Sequence, residues 1–310
     1  MAFDDLTIKR PGRVKAWVSA FRLRTLPLAL ASIGMGSFLA AADNSFRGDV
    51  VAWCALTTLF LQILSNLAND YGDTKHGADS EHRQGPKRAV QAGLITAAQM
   101  KTGMMVFAAL SLLSGLLLLW TALGSAGLYV FLLFLALGLA SIWAAINYTA
   151  GSRPYGYAGL GDIAVFTFFG LVGVMGTYYL QTQQLPGALL WPAASMGFLA
   201  TGVLNINNIR DIESDRQAGK YSIPVRLGPR KARVYHVVLL LAALGCALVF
   251  VALRPGGYFQ YLFLLTVPLL AFNASRVWSL RTAPELDPYL KQMAFTTLLF
   301  VLLFGAGLLL

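Results

Sequence analysis

Polar and apolar positions in this chain do not alternate at a helical period. They separate into blocks. Nine mostly apolar blocks stand out, near Thr25–Ala42, Val50–Asn69, Thr102–Leu123, Leu128–Tyr148, Tyr157–Leu180, Ala188–Asn207, Val234–Leu253, Tyr258–Phe272 and Met293–Leu310. A helix crosses a ~30 Å hydrocarbon core in about 20 residues at ~1.5 Å per residue, so each block predicts a transmembrane helix. Tyr258–Phe272 is the shortest and must borrow residues up to about Val277 to span. The pattern predicts an all-α, polytopic membrane protein whose residues 1–310 form one domain in a lipid bilayer.

Composition agrees. The chain is 57% hydrophobic and 12% charged, with mean hydropathy +0.62. Soluble domains carry about 25% charged residues, and a water-soluble bundle of this composition could not cover itself with polar surface. The net charge of +10 would suggest nucleic acid in a soluble protein. Here the placement of the charges decides otherwise, and no nucleic-acid partner is expected. With loops assigned alternately to two sides, 22 of the 24 Lys and Arg fall on the side of 1–24, 70–101, 149–156, 208–233 and 273–292. Only Arg47 and Arg254 lie opposite. Positive loops stay cytoplasmic, so the N-terminus is expected inside and the C-terminus outside. Eight or ten helices would split the basic loops between the two sides. Met1–Lys15 is polar, with no apolar core before Leu26, unlike a cleaved signal peptide. Cys54 and Cys246 lie in apolar runs and read as small buried hydrophobes.

Two of the loops on the basic side, 70–101 and 208–233, are long, and each opens with an acidic cluster. The first is Asn66-Leu-Ala-Asn-Asp-Tyr-Gly-Asp73-Thr-Lys-His-Gly-Ala-Asp79, and the second is Asn205-Ile-Asn-Asn-Ile-Arg-Asp211-Ile-Glu-Ser-Asp215. Asn69-x-x-x-Asp73 matches Asn207-x-x-x-Asp211. The clusters end the second and sixth apolar blocks, so both fall at the same end of the bundle. A four-helix unit repeated at about 16–148 and 157–277 would give the same placement. Residues four apart share a helix face, so Asn207, Asp211 and Asp215 form one polar stripe if the helix continues. Gly72 and Gly77 argue against such continuation in the first cluster. Carboxylates gathered in one apolar mouth repel, a cation relieves them, and oxygen ligands select Mg²⁺ or Ca²⁺ over zinc. Mg²⁺ commonly takes one or two carboxylates plus substrate phosphates. Lys75, Arg88, Arg210 and Lys220 are candidates to share the remaining charge of a diphosphate, with Arg22 and Arg24 as further candidates. No nucleotide P-loop pattern occurs. A cation transporter would need polar residues through the full membrane depth, whereas these acidic groups sit at one end only.

Asn69-Asp-x-x-Asp73 with Asp79, and Asn208-x-x-Asp211-x-x-x-Asp215, resemble the two acidic motifs of the intramembrane UbiA-type aromatic prenyltransferases. Arg22-Leu-Arg-Thr-Leu-Pro-Leu-Ala29, the stretch Gln62–Asp73, Arg153-Pro-Tyr-Gly-Tyr-Ala-Gly-Leu-Gly-Asp162 and Leu204–Asp211 are most similar to the 1,4-dihydroxy-2-naphthoate polyprenyltransferases of bacterial menaquinone synthesis. The likeness runs from about Trp17 to the last helix. It implies nine helices around a central cavity open to lipid, a bacterial inner-membrane location and an active site toward the cytoplasm. It implies Mg²⁺ held by Asn69, Asp73, Asp79, Asp211 and Asp215 against a polyprenyl diphosphate. The acceptor implied is 1,4-dihydroxy-2-naphthoate, prenylated with loss of CO₂, and Tyr148, Thr149 and Arg153 are the candidates to bind it. Asp73 and Asp79 are separated by five residues where the wider superfamily has three. That spacing looks like the naphthoate branch and argues against a 4-hydroxybenzoate or haem-type enzyme. A prenyltransferase of the same fold with another aromatic acceptor is the alternative. Phe166, Phe168, Phe169, Tyr178 and Tyr179 are candidate cavity walls.

Overall fold

The computed structural model describes residues 12–78, 88–124, 127–254 and 256–310. Among them nine helical spans are long and apolar enough to cross a membrane. The chain is a multi-pass membrane protein.

The first span joins α1 (Arg13–Phe21) to α2 (Leu26–Ala42) through an elbow at Arg22, whose backbone is left-handed (φ 50°). α3 (Gly48–Lys75), α4 (Ala97–Leu123) and α5 (Leu128–Asn147) follow. A capping box starts α4: Thr96 accepts from the Gln99 amide, and Gln99 reaches back to Thr96, satisfying two of the amides that a helix start leaves open. The fifth span is irregular: α6 (Gly161–Val165), a wide π-type stretch Phe166–Met175, then α7 (Gly176–Thr182). α8 (Leu190–Arg210) is the sixth span, and α9 (Ile212–Gln217) is a short helix after it. α10 (Ile223–Leu253) is the seventh. A tight 3₁₀ stretch, Tyr258–Thr266, runs into α11 (Val267–Ser279) to make the eighth, and α12 (Ala283–Leu309) is the ninth.

α8 is the most enclosed span, packed against α10, the fifth span, α12 and α2. Met196, Leu199, Ala200 and Ile206 are fully buried there, with Phe300 and Phe304 of α12 beside them. α5 is the least buried. It rests on α3 and α4 and makes little contact with the fifth span.

Two local expectations are corrected. α3 continues through Gly72 to Lys75. Gly72 is there for close approach: a Cβ would stand 2.4 Å from the Thr149 carbonyl oxygen. The region 208–233 is mostly helical rather than a long loop, because α10 begins at Ile223 and only kinks at Gly228 (φ 75°) and Pro229. The stripe Asn207, Asp211, Asp215 is broken once, at Asp211, which leaves helical geometry (φ −98°, ψ 9°) before α9 resumes.

Candidate functional site

A cavity of about 930 Å³ opens at the end of the bundle where α3, α5 and α8 finish. Its mouth is polar: Arg22, Asn69, Asp73, Arg88, Tyr148, Asn207 and Lys220 line it. Its depth is apolar, between α5 (Leu133, Phe134, Ile142) and the fifth span (Phe168, Phe169, Val172, Tyr179). Phe166 and Tyr178 do not line it. Phe166 packs on Phe198, and Tyr178 turns to the opposite end, donating to Asp43 at 2.6 Å.

Asp73 is the centre of the mouth. It is buried, 2.6 Å from the Arg88 guanidinium, and accepts 2.9 Å from the Tyr157 hydroxyl. Asp70, one turn earlier, has a different task. Its carboxylate accepts from the Ala89 and Val90 amides at 3.0 and 3.1 Å, pinning the segment that carries Arg88. Asn69 accepts 2.9 Å from the Thr149 hydroxyl, which is also within 3.0 Å of the Ala68 carbonyl. Asn66 donates to the Phe21 carbonyl and to Thr25, and so fixes the elbow that presents Arg22.

From the second cluster, Lys220 reaches into the cavity. Its ammonium is 3.3 Å from Asp215 and 5.9 Å from the Tyr157 ring centre. Burial acts against that ammonium, but Asp215 and Asp73 outweigh it and raise its pKa. Burial pushes the Asp215 carboxyl up to about 6. The charges of Asp211 and Asp73 push the same way, and Lys220 opposes them. Lys220 therefore joins the two clusters electrostatically. Burial likewise raises the Tyr148 hydroxyl to about 12.

Several candidate residues take other places. Arg210 is buried and committed to Asp211 (2.7 Å), Asp287 (2.6 Å) and Asn207 (2.9 Å), so it organises the site instead of lining it. Thr149 is buried behind Asn69 and serves as its positioner. Lys75 is exposed, because a residue two positions after Asp73 points to another side of the helix. Arg153 is exposed in the turn between α5 and α6. Asp79 lies outside the described residues. Sequence reasoning missed Tyr157, although it stands in a stretch already singled out. It also missed Asp287, which receives Arg24 (3.0 Å) and Arg210 from the start of α12. A lone aspartate with no counterpart in either cluster carried no signal.

Among the described residues, no group of three or more Asp, Glu, His or Cys side chains is arranged to hold a metal ion by itself. The donor set nevertheless suits a hard cation that shares its shell with phosphates. Asp73 and Asp215 offer carboxylates near one mouth, and Asn208 Oδ1 and Asp215 Oδ2 are buried oxygens without a hydrogen-bond partner in the described structure.

Comparison with known proteins accounts for this architecture. Residues 29–299 match the UbiA prenyltransferase family. The chain is 48% identical over 299 residues to a 1,4-dihydroxy-2-naphthoate octaprenyltransferase of Haemophilus influenzae, covering 96% of each. It is 46% identical over 301 residues to one from Escherichia coli, covering 96% of this chain and 97% of that protein. A solved UbiA homolog from Archaeoglobus fulgidus, bound to DMAPP and Mg²⁺, shares the fold with TM-score 0.66 at 17% identity, over 95% of this chain and 99% of that one. A helix bundle with polar groups crowded at one mouth and an apolar depth behind them, joined to sequence identity of this extent, leads to one conclusion: the chain belongs to the UbiA prenyltransferase family.

Proposed function

We propose that this enzyme transfers a polyprenyl group from an allylic diphosphate to 1,4-dihydroxy-2-naphthoate, with Mg²⁺ as cofactor. The observation that carries the reading is that Asp73, Arg88 and Lys220 line the mouth of a deep apolar cavity, with Asp215 3.3 Å from the Lys220 ammonium. A charged head fits the mouth and an isoprenoid tail fits the depth. The naphthoate acceptor is supported by the extent of identity to relatives bearing that name.

Asp73, Asp215 and Asn69 would hold the metal, with Asp211 and Asp79 as further candidates. When bound, Mg²⁺ would neutralise charge on the departing diphosphate. Lys220 and Arg88 supply fixed positive charge at the same place. Arg22 and Tyr148, both lining the mouth, would receive the acceptor's carboxylate and hydroxyl groups. The allylic C–O bond breaks and its electron pair leaves with the diphosphate. The apolar walls keep water from the allylic cation, and Phe168 and Phe169 offer aromatic faces to it. A C–C bond forms at the carboxylate-bearing ring carbon. The bond to the carboxylate then breaks, CO₂ departs, and the electron pair restores the aromatic ring. The product is the demethylmenaquinone skeleton at the hydroquinone level.

The excess of Lys and Arg in the loops on this side supports a cytoplasmic site, and the bacterial relatives support an inner-membrane location. Incubating membranes with farnesyl diphosphate, Mg²⁺ and a panel of acceptors tests the reading. Prenylation of the naphthoate with stoichiometric CO₂ supports it. Turnover only with 4-hydroxybenzoate or homogentisate overturns it.

A further inference from the structure

A second pocket, of about 360 Å³, lies between the start of α10 and the end of α11. Pro229, Arg230, Arg233, Trp278 and Arg281 line it. It adjoins the kink at Gly228 and Pro229. Arg233 is its floor: the side chain is buried, and its guanidinium donates to the carbonyls of Val277 (2.9 Å), Leu280 (2.9 Å) and Pro229 (3.0 Å). These are neutral acceptors. Among the described residues no carboxylate pairs with Arg230, Arg233 or Arg281. The adjacent acid, Glu285, is spent on capping α12 at Thr282. A buried cation without a counter-charge is costly, and an anion in the pocket relieves it.

The surroundings say which anion. Arg230 begins an exposed stripe on one face of α10, followed at helical spacing by Val234, Val238 and Leu241. Trp278 is half exposed at the same level, where interfacial aromatics sit. A ligand with its charge on the arginines has an apolar surface directly above it. Basic pockets between transmembrane helices suit lipid head groups. We propose that this pocket binds the phosphate of an anionic phospholipid, with the acyl chains along Val234, Val238 and Leu241.

The test is native mass spectrometry of the full-length, detergent-purified protein, titrated with phosphatidylglycerol or phosphatidylcholine of matched chains. A parallel arm uses inorganic phosphate alone. Phosphatidylglycerol is expected to bind preferentially, and Arg230→Gln and Arg281→Gln each to cut that preference roughly fivefold. Both arginines are exposed and neither lines the large cavity, so prenyl transfer in detergent serves as the folding control. Equal binding of the two lipids to the unaltered protein overturns the proposal, as does an unchanged preference in the double variant. Phosphate binding that matches the lipid's affinity would show a free-anion site and overturn it too.

Discussion

Arg88 and Asp73 stand 2.6 Å apart, both nearly excluded from solvent, at the mouth of the central cavity. The backbone of the arginine's segment is held by Asp70, and the carboxylate is also held by Tyr157. The pair sets a fixed field where a diphosphate head would rest. Removing either charge takes a close ion-pair partner from a buried group. Asp73→Asn is expected to lower kcat by about 10²–10³-fold, the scale for one electrostatic stabiliser. Arg88→Gln should act mainly on the diphosphate KM. Steady-state kinetics with purified, folded variants decides this, and full turnover in Asp73→Asn would remove it from the site.

Asp215 gives the site a pH dependence whose sign follows from its environment. Burial raises its pKa from the ordinary 3.8 to about 6. Between those values the folded state holds a proton that the unfolded state has released. That contribution to stability is present below about 4 and is lost as pH rises through 6. If Asp215 holds Mg²⁺ as proposed, protons and Mg²⁺ compete for its carboxylate. The Mg²⁺ concentration for half-maximal activity should therefore climb as pH drops below 6, approaching tenfold per unit. A flat Mg²⁺ requirement from pH 5 to 7 would exclude Asp215 as a ligand.

Asp287 ties α12 to the site by accepting from Arg210 and Arg24. Asp287→Ala leaves the buried Arg210 guanidinium short of one acceptor, at a cost of about 1–3 kcal/mol. Thermal unfolding in detergent should rank unaltered protein above Asp287→Asn, and Asp287→Ala lowest. An unchanged midpoint for the alanine variant would show the contact to be dispensable.

Phe134 of α5 and Tyr179 of α7 stack with ring centres 5.2 Å apart and planes 20° off parallel. They bridge two spans that otherwise have little contact, beside the apolar end of the cavity. Phe134→Ala or Tyr179→Ala should relax the limit on tail length. The ratio of kcat/KM for longer over shorter prenyl diphosphates should rise about 2–10-fold, the worth of one aromatic pair. A constant ratio would reduce the stack to packing.

Much of this protein can be read along the chain. Nine apolar blocks separate because lipid demands that each crossing satisfy its own backbone hydrogen bonds, so span number is a local property. Charge placement between the blocks gives the expected sidedness, because loops rich in Lys and Arg stay cytoplasmic. The asparagine and aspartate clusters at helix ends were equally visible. What the chain could not reveal is which polar group meets which. Gly72 reads as a helix breaker until Thr149 is seen against it. Arg210 reads as a phosphate ligand until Asp287, 77 residues away, is found to hold it. Lys220 is one cation among seven in its region until it is found buried 3.3 Å from Asp215, lining the same cavity as Asp73. Partner choice among buried charges depends on long-range packing, and only the folded bundle settles it.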